Sequence, residues 1–75
     1  MFKFQFVYGD KSYLEFENIT KVKYADIIGE EIIVLENEIL EHKFPLNADL
    51  YLFSKNSNNT ASCNNLKTIS VIKEE

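Results

Sequence analysis

Five glutamates and the only histidine of the chain form the densest set of side chains that could do chemistry. They are Glu30, Glu31, Glu36, Glu38, Glu41 and His42. If residues 38–42 are helical, Glu38 and His42 share one face and could hold a divalent cation, but a metal site normally needs three or four ligands. The sequence therefore predicts a solvated acidic face, with no metal and no other cofactor. The same charges make Glu36 and Glu38 candidates for contact with a basic partner.

The single cysteine, Cys63, is the second candidate, as a nucleophile with His42 as its base. A catalytic cysteine needs a base, an orienting third group and electropositive surroundings that lower its pKa. Cys63 stands among Ser, Asn and Thr residues, with no cation close to it in the sequence. Neither glycine lies in a phosphate-binding pattern, and no serine has a Gly-x-Ser-x-Gly context. The pattern predicts a protein that is not an enzyme.

The charge composition narrows the class of partner. The 75 residues carry a net charge of −4, and every cationic side chain is a lysine. An acidic chain without arginine argues against duplex DNA and against an anionic membrane surface as partners. One cysteine cannot form an internal disulfide, the N-terminus has no apolar signal core, and no apolar run reaches transmembrane length. We expect a cytoplasmic protein that contacts no membrane.

The stretch from Phe2 to Phe16 predicts two strands joined by a tight turn. Its phenylalanines alternate with other residues, which is the period of a half-buried strand. A two-residue loop at Gly9-Asp10 would set apolar side chains against polar ones, whereas a three- or five-residue loop makes both faces agree. The odd loop, with a bulge near residues 9–11, is therefore predicted. Its register pairs Phe4 with Phe16, Phe6 with Leu14, Gln5 with Glu15 and Lys3 with Glu17.

Residues 21–38 predict a second hairpin with a different turn. A two-residue Gly29-Glu30 loop places glycine at the first central position, as a type II′ turn requires. Cross-strand pairs of opposite charge help to fix a register. The predicted register pairs Tyr24 with Leu35, Ala25 with Val34, Lys23 with Glu36 and Lys21 with Glu38.

A helix over residues 25–41 competes with this hairpin, because four apolar residues recur at helical spacing: Ile28, Ile32, Leu35 and Ile39. Gly29 inside the pattern and the β-branched run of residues 32–34 favour strands instead. Strands are therefore the prediction. Residues 37–42 are expected to contain one helical or 3₁₀ turn.

The remainder of the chain predicts a connection and three more strands. Phe44-Pro45 marks the start of the connection, because proline disfavours a central strand. Residues 49–55 and 66–73 are predicted strands, and 56–65 form a polar loop with a short strand at Thr60 to Ser62. Residues 1–75 are thus predicted to be one all-β domain. Its expected form is a small antiparallel barrel or compact sandwich of five or six strands that begins with a hairpin meander.

No pattern in the chain specifies a reaction, so the predicted function is that of a small protein-interaction or assembly module. A small sheet has free edges, and an edge can accept another chain by strand addition. The expected partner is another protein or a second copy of the chain, which would give a homo-oligomer. The candidate contact residues are Tyr13, Tyr51, Asn56, Asn58 and Asn59, together with Glu36 and Glu38.

Two alternative functions stay open. Exposed aromatic side chains on strands can stack the bases of a single-stranded nucleic acid, and Tyr13 is expected on the outer face with Lys3. The acidic residues could instead cover a basic protein surface, as an inhibitor does. In size and in its Lys-, Asn- and Ile-rich composition, the chain resembles small accessory proteins encoded by bacteriophages or mobile elements of Gram-positive bacteria with AT-rich genomes.

Overall fold

The computed structural model describes residues 1–74 and contains six strands and one 3₁₀ turn. In chain order these are β1 (Phe2–Tyr8), β2 (Tyr13–Ala25), β3 (Glu31–Leu35), the 3₁₀ turn (Glu36–Glu38), β4 (Leu50–Ser54), β5 (Asn58–Ala61) and β6 (Leu66–Lys73). The strands form one antiparallel sheet in the order β5-β4-β2-β1-β6, and β3 also pairs with β2. The predicted all-β class, the number of strands and the opening meander are confirmed. The sheet is not closed into a barrel.

The first hairpin has the predicted odd loop and register. Phe4 lies opposite Phe16, Gln5 opposite Glu15 and Phe6 opposite Leu14. The loop contains residues 9–11, and Lys11 has a positive φ of 72°, which marks the bulge at the end of a three-residue hairpin loop. The predicted pair of Lys3 with Glu17 falls where the register of the two strands shifts, so it is not among the regular cross-strand pairs. A second bulge, at Asn18 with φ 61°, shifts the register between Phe2 and Phe4, so that Phe2 faces Ile19.

The second hairpin forms, but its predicted register is wrong. Tyr24 lies opposite Ile32, Val22 opposite Val34 and Lys21 opposite Leu35. The loop contains residues 27–29 rather than Gly29-Glu30, and the shift puts Ile33 and Leu35 on the exposed face. The physical reason is that residues 32–35 are all apolar, so either face of β3 could have been buried. The charge pairs on which the prediction relied contribute too little to choose between the registers.

Strand β2 is the long element around which the sheet is organised. Its first half pairs with β1, and its second half lies between β3 and β4: Val22 faces Val34 on one side and Leu52 on the other. Alternate residues of these strands point to one side and form the core. Its buried members are Phe2, Phe4, Phe6, Tyr8, Ile19, Val22, Tyr24, Val34, Ile39, Leu50, Leu52, Ala61 and Leu66.

A short connection curls this sheet around its core. Strands β5 and β6 lie at opposite ends of the strand order, yet only residues 62–65 join them. Five residue steps reach at most about 17 Å, so the two ends of the sheet come near each other at this point. The Tyr8 hydroxyl donates a hydrogen bond of 2.6 Å to the Ser62 carbonyl and ties the connection to β1.

The segment between β3 and β4 covers the open side of the core. Ile39 follows the 3₁₀ turn and is fully buried, while the ring of Phe44 packs edge-on against Phe4 with 5.3 Å between the ring centres. The predicted turn within residues 37–42 is confirmed, because the turn at Glu36–Glu38 continues with a bond from the His42 N–H to the Glu38 carbonyl. No long helix forms over residues 25–41.

Candidate functional site

Tyr51 and Asn58 are the predicted contact residues that the structure brings to one surface. Tyr51 lies opposite Lys23 across β2 and β4, and Phe53 lies opposite both Lys21 and Asn58. On the other side of β2, the same two lysines face Ile33 and Leu35. Directly opposed residues point to the same face of a sheet. We call the resulting surface the outer platform: Lys21, Lys23, Ile33, Leu35, Tyr51, Phe53 and Asn58.

The outer platform combines exposed apolar side chains with two lysines. Leu35 is 53% exposed, Ile33 48% and Tyr51 46%. The ammonium groups of Lys21 and Lys23 lie over the ring of Phe53, at 4.7 and 5.5 Å from its centre. Both distances are within the range of a cation–π interaction, so the ring of Phe53 attracts both ammonium groups and keeps them close to the surface of the platform.

Tyr13 lies on a different part of the outer face, where β1 pairs with the first half of β2. Its hydroxyl donates a 2.6 Å hydrogen bond to Glu15, and the amide of Gln5 donates a second one of 3.0 Å. These two bonds hold the pKa of Glu15 below its usual value, and the same contact raises the pKa of Tyr13. Tyr13 is exposed, as predicted, but its hydroxyl is already engaged by the carboxylate.

The other predicted asparagines do not join the platform. Asn59 lies opposite the buried Leu52 and is half-buried, so it points to the core side of the sheet. Asn56 is exposed in the turn between β4 and β5. That turn is closed by a hydrogen bond of 2.9 Å from the Ser54 N–H to the Ser57 carbonyl. Of the three predicted asparagines, Asn58 therefore lies on the platform, and Asn56 and Asn59 lie elsewhere.

Glu36 and Glu38 both have contacts within the chain. The Glu36 carboxylate lies 2.7 Å from the N-terminal ammonium group of Met1. Glu38 accepts a hydrogen bond of 3.1 Å from the Leu35 N–H, which closes the start of the 3₁₀ turn. Within residues 1–74, no group of three or more His, Cys, Asp or Glu side chains could hold a metal ion.

His42 belongs to an aromatic cluster rather than to a catalytic pair. Its Nε2 atom lies 2.8 Å from the Tyr24 hydroxyl, and its ring packs edge-on against Phe44. Burial, and then the negative charge of Asp26, raise the pKa of Tyr24. The cluster holds the segment after the 3₁₀ turn against β2.

Cys63 contacts an acid rather than a base. The Asp49 carboxylate accepts a hydrogen bond of 2.9 Å from the Cys63 N–H. Its contact with the thiol raises the pKa of Cys63, while the same hydrogen bonds lower the pKa of Asp49. A raised pKa lowers the fraction of reactive thiolate at neutral pH, which is the opposite of what nucleophilic catalysis requires.

Strand β6 forms one edge of the sheet. The Glu74 N–H donates to the Met1 carbonyl, and in an antiparallel pair the backbone bonds alternate along the strand. The backbone groups of Ile69, Val71 and Lys73 therefore point away from β1. Exposed Lys67 and Lys73 stand near the two ends of this edge, where charge discourages pairing with another strand.

The sequence analysis missed the most exposed apolar residues of the described chain, Ile27 and Ile28. They occupy the loop between β2 and β3, and they are 91% and 79% exposed. The prediction placed them inside a strand, because it set the turn at Gly29-Glu30. Two isoleucines next to a glycine, between residues that can pair as strands, were the available signal.

Two open grooves flank this loop. One has a volume of about 250 Å³ and lies between Tyr24, Ile27 and the 43–48 segment. The other, of about 360 Å³, lies between Gly29, Glu31 and the platform residue Tyr51. The loop is therefore continuous with the outer platform on one side and with the segment that covers the core on the other.

In the part of the chain that the structure describes, no helix has the length and apolar character needed to span a membrane. The chain has no match among protein-family models, curated proteins or solved structures.

Proposed function

We propose that this chain is a small non-enzymatic module that binds a protein partner or assembles with copies of itself. The observation that carries the proposal is the outer platform. Three of its apolar side chains, Ile33 and Leu35 on β3 and Tyr51 on β4, are about half exposed and lie on the two sides of β2. Contiguous exposed apolar surface that is rimmed by polar groups marks a contact site in soluble proteins.

The platform carries two aromatic side chains, Tyr51 and Phe53, of the kind found in the central part of a protein interface. Aromatic side chains are enriched there, because they bury a large area and lose few rotamers. Tyr51 is exposed, and none of the side-chain hydrogen bonds within residues 1–74 involves its hydroxyl. The lysines over Phe53 lie in the middle of the platform, where their charge favours selection of a partner more than it adds to affinity.

The test compares the variant Tyr51→Ser with Tyr13→Ser, which removes a tyrosine of similar exposure from outside the platform. We expect Tyr51→Ser to weaken self-association or partner binding by about tenfold, as for loss of an aromatic interface residue. Tyr13→Ser should leave both unchanged. Light scattering over a range of concentrations measures self-association, and affinity capture with each variant as bait measures partner binding. A monomer whose captured proteins are the same with both baits would contradict the proposal.

A second candidate function is single-stranded nucleic acid binding by the same platform. Tyr51 offers a ring on which a base can stack, and Lys21 and Lys23 supply the neighbouring cations. Fluorescence anisotropy with labelled oligonucleotides at low salt tests this candidate. Saturable binding that Tyr51→Ser abolishes would favour it over a protein partner, and unchanged anisotropy at high protein concentration would remove it.

The compartment and the acidic surface complete the proposal. We propose the cytoplasm, supported by a single cysteine, which leaves no internal disulfide to form in an oxidising compartment. An accessory role in a bacteriophage or mobile element stays part of the proposal, supported by size and composition. The net charge of −4 supports the alternative of an inhibitor that covers a basic surface, although Glu36 and Glu38 each already have a partner within the chain.

A further inference from the structure

The first two hairpin turns of the chain have the same backbone architecture. In the first, which spans residues 8–12, the Tyr8 N–H donates to the Ser12 carbonyl at 3.0 Å, and the Lys11 N–H donates to the Tyr8 carbonyl at 2.9 Å. The third loop residue, Lys11, has φ 72°. The three loop residues, Gly9, Asp10 and Lys11, are small or polar, which is usual for a hairpin turn in water.

The second turn, which spans residues 26–30, repeats these bonds. The Asp26 N–H donates to the Glu30 carbonyl at 3.0 Å, and the Gly29 N–H donates to the Asp26 carbonyl at 3.0 Å. Gly29 has φ 86° and takes the place of Lys11. The first two loop positions, however, hold Ile27 and Ile28 instead of Gly9 and Asp10. Because the same turn forms with polar residues in the same molecule, the turn itself does not require the isoleucines.

The isoleucines do not contribute to the core either. Neither belongs to the buried cluster or to the side chains packed against it, and both are more than three-quarters exposed. Two β-branched side chains at a hairpin tip leave apolar area in water without a compensating contact in the chain. A partner that buries this apolar area would therefore gain binding free energy from it.

The tip is held rigid by Asp26. Its Oδ1 atom accepts hydrogen bonds from the Ile28 N–H at 3.0 Å and from the Glu30 N–H at 2.9 Å. A loop that is already ordered loses less conformational entropy when it binds. The two isoleucines are thus presented as a preorganised projection.

Carboxylates flank this projection. Asp26 precedes the isoleucines, and Glu30 and Glu31 follow Gly29, while each of the two flanking grooves contains a lysine, Lys43 in the first and Lys23 in the second. Like charges placed opposite each other across an interface cost several kcal/mol, and opposite charges select the partner. An anionic lipid surface or a nucleic acid would face these carboxylates with the wrong sign of charge.

We propose that the β2–β3 tip inserts Ile27 and Ile28 into an apolar pocket on a partner protein, and that Lys or Arg side chains border this pocket. The inference rests on the proposed role as an interaction module, but it depends on Ile27 and Ile28 and not on the Tyr51 side chain of the adjoining platform. A failure at the tip therefore leaves the result for Tyr51→Ser intact, and a failure of the platform leaves the tip intact.

The test uses synthetic hosts that reproduce the chemistry of such a pocket. Per-amino-β-cyclodextrin has an apolar cavity rimmed by ammonium groups, unmodified β-cyclodextrin has a neutral rim, and carboxymethyl-β-cyclodextrin has an anionic rim. Methyl NMR of the isoleucine-labelled full chain reports where each host binds. Ile33 and Ile72, which are also exposed, serve as internal controls.

We expect the Ile27 and Ile28 methyl signals to shift saturably. The cationic host should bind at least about threefold more tightly than the neutral one, because a few exposed charge pairs contribute an effect of this size. The difference in affinity should disappear at high salt, which screens exposed charges. The variant Ile27→Ser/Ile28→Ser should show no residual tip binding, and Glu30→Gln/Glu31→Gln should lose only the preference for the cationic host.

Three results would overturn the proposal. The first is equal affinity of the tip for the cationic and anionic hosts, or shifts confined to Ile33 and Ile72. The second is broadening of the Ile27 and Ile28 signals by neutral phosphatidylcholine vesicles, which would assign the tip to a membrane. The third is a change of these two signals on dilution of the protein alone, which would assign the tip to a second copy of the chain.

Discussion

Replacement of Phe4 by alanine is expected to lower the free energy of unfolding by about 3–5 kcal/mol. Phe4 is fully buried in the central strand pair, and its ring packs against Phe6 on one side and edge-on against Phe44 on the other. The loss combines the transfer energy of the ring with the cavity that remains. A domain of this size has roughly 4–11 kcal/mol of stability, so the variant should lose a large share of it and, at the lower end of this range, should be partly unfolded without denaturant.

Urea unfolding followed by circular dichroism measures this change, with Val7→Ala as the control. Val7 lies on the same strand but faces the solvent side and is partly exposed. Its replacement should change the free energy of unfolding by less than about 1 kcal/mol. Equal effects at Phe4 and Val7 would contradict the assignment of the two faces of β1.

Replacement of Ile39 by alanine is expected to lower the free energy of unfolding by about 2–5 kcal/mol. Ile39 follows the 3₁₀ turn and is fully buried under the segment between β3 and β4. Because the sheet is not closed into a barrel, this segment must cover the open side of the core. Alanine at position 39 leaves a cavity under this segment, where no paired strand can move in to fill it.

Leu40→Ala is the matched control, since Leu40 is the next residue and is mostly exposed. Thermal unfolding should show a large fall in melting temperature for Ile39→Ala and a small one for Leu40→Ala. If Ile39→Ala unfolds at the temperature of the wild-type chain, the segment does not stabilise the core and this part of the fold is wrong.

The two hairpins show what the sequence could determine and what it could not. In the first, Lys3 and Gln5 separate the phenylalanines of β1, so one register alone buries these rings, and that register forms from Phe4 onward. In the second, residues 32–35 are apolar at every position, and alternation gives no preference. The register then depends on the turn, where Asp26 binds two backbone N–H groups and Gly29 takes the positive φ. The spacing of apolar residues along the strands predicts neither the two hydrogen bonds of Asp26 nor the positive φ of Gly29.

The residues of the candidate surfaces also divide into those that the sequence could predict and those that it could not. Tyr51 and Asn58 could be proposed from residue type alone, and the structure places both on the outer platform. Ile33 and Leu35 could not be added, because the wrong register pointed them at the core. Ile27 and Ile28 were missed for a related reason. The predicted turn began two residues too late, so both were assigned to a strand. Each missed residue traces back to the turn between β2 and β3.

The stability of the double variant Ile27→Ser/Ile28→Ser tests the central claim most directly, because the claim is that these side chains serve contact and not folding. Urea unfolding should give a free energy within about 0.5 kcal/mol of the wild-type chain, as for exposed substitutions. Ile32→Ser, a half-buried position on the same hairpin that packs against the core, should lose about 1–3 kcal/mol. A loss of about 2 kcal/mol or more in the double variant would show that the tip isoleucines stabilise the fold, and the account of the tip as a binding projection would be wrong.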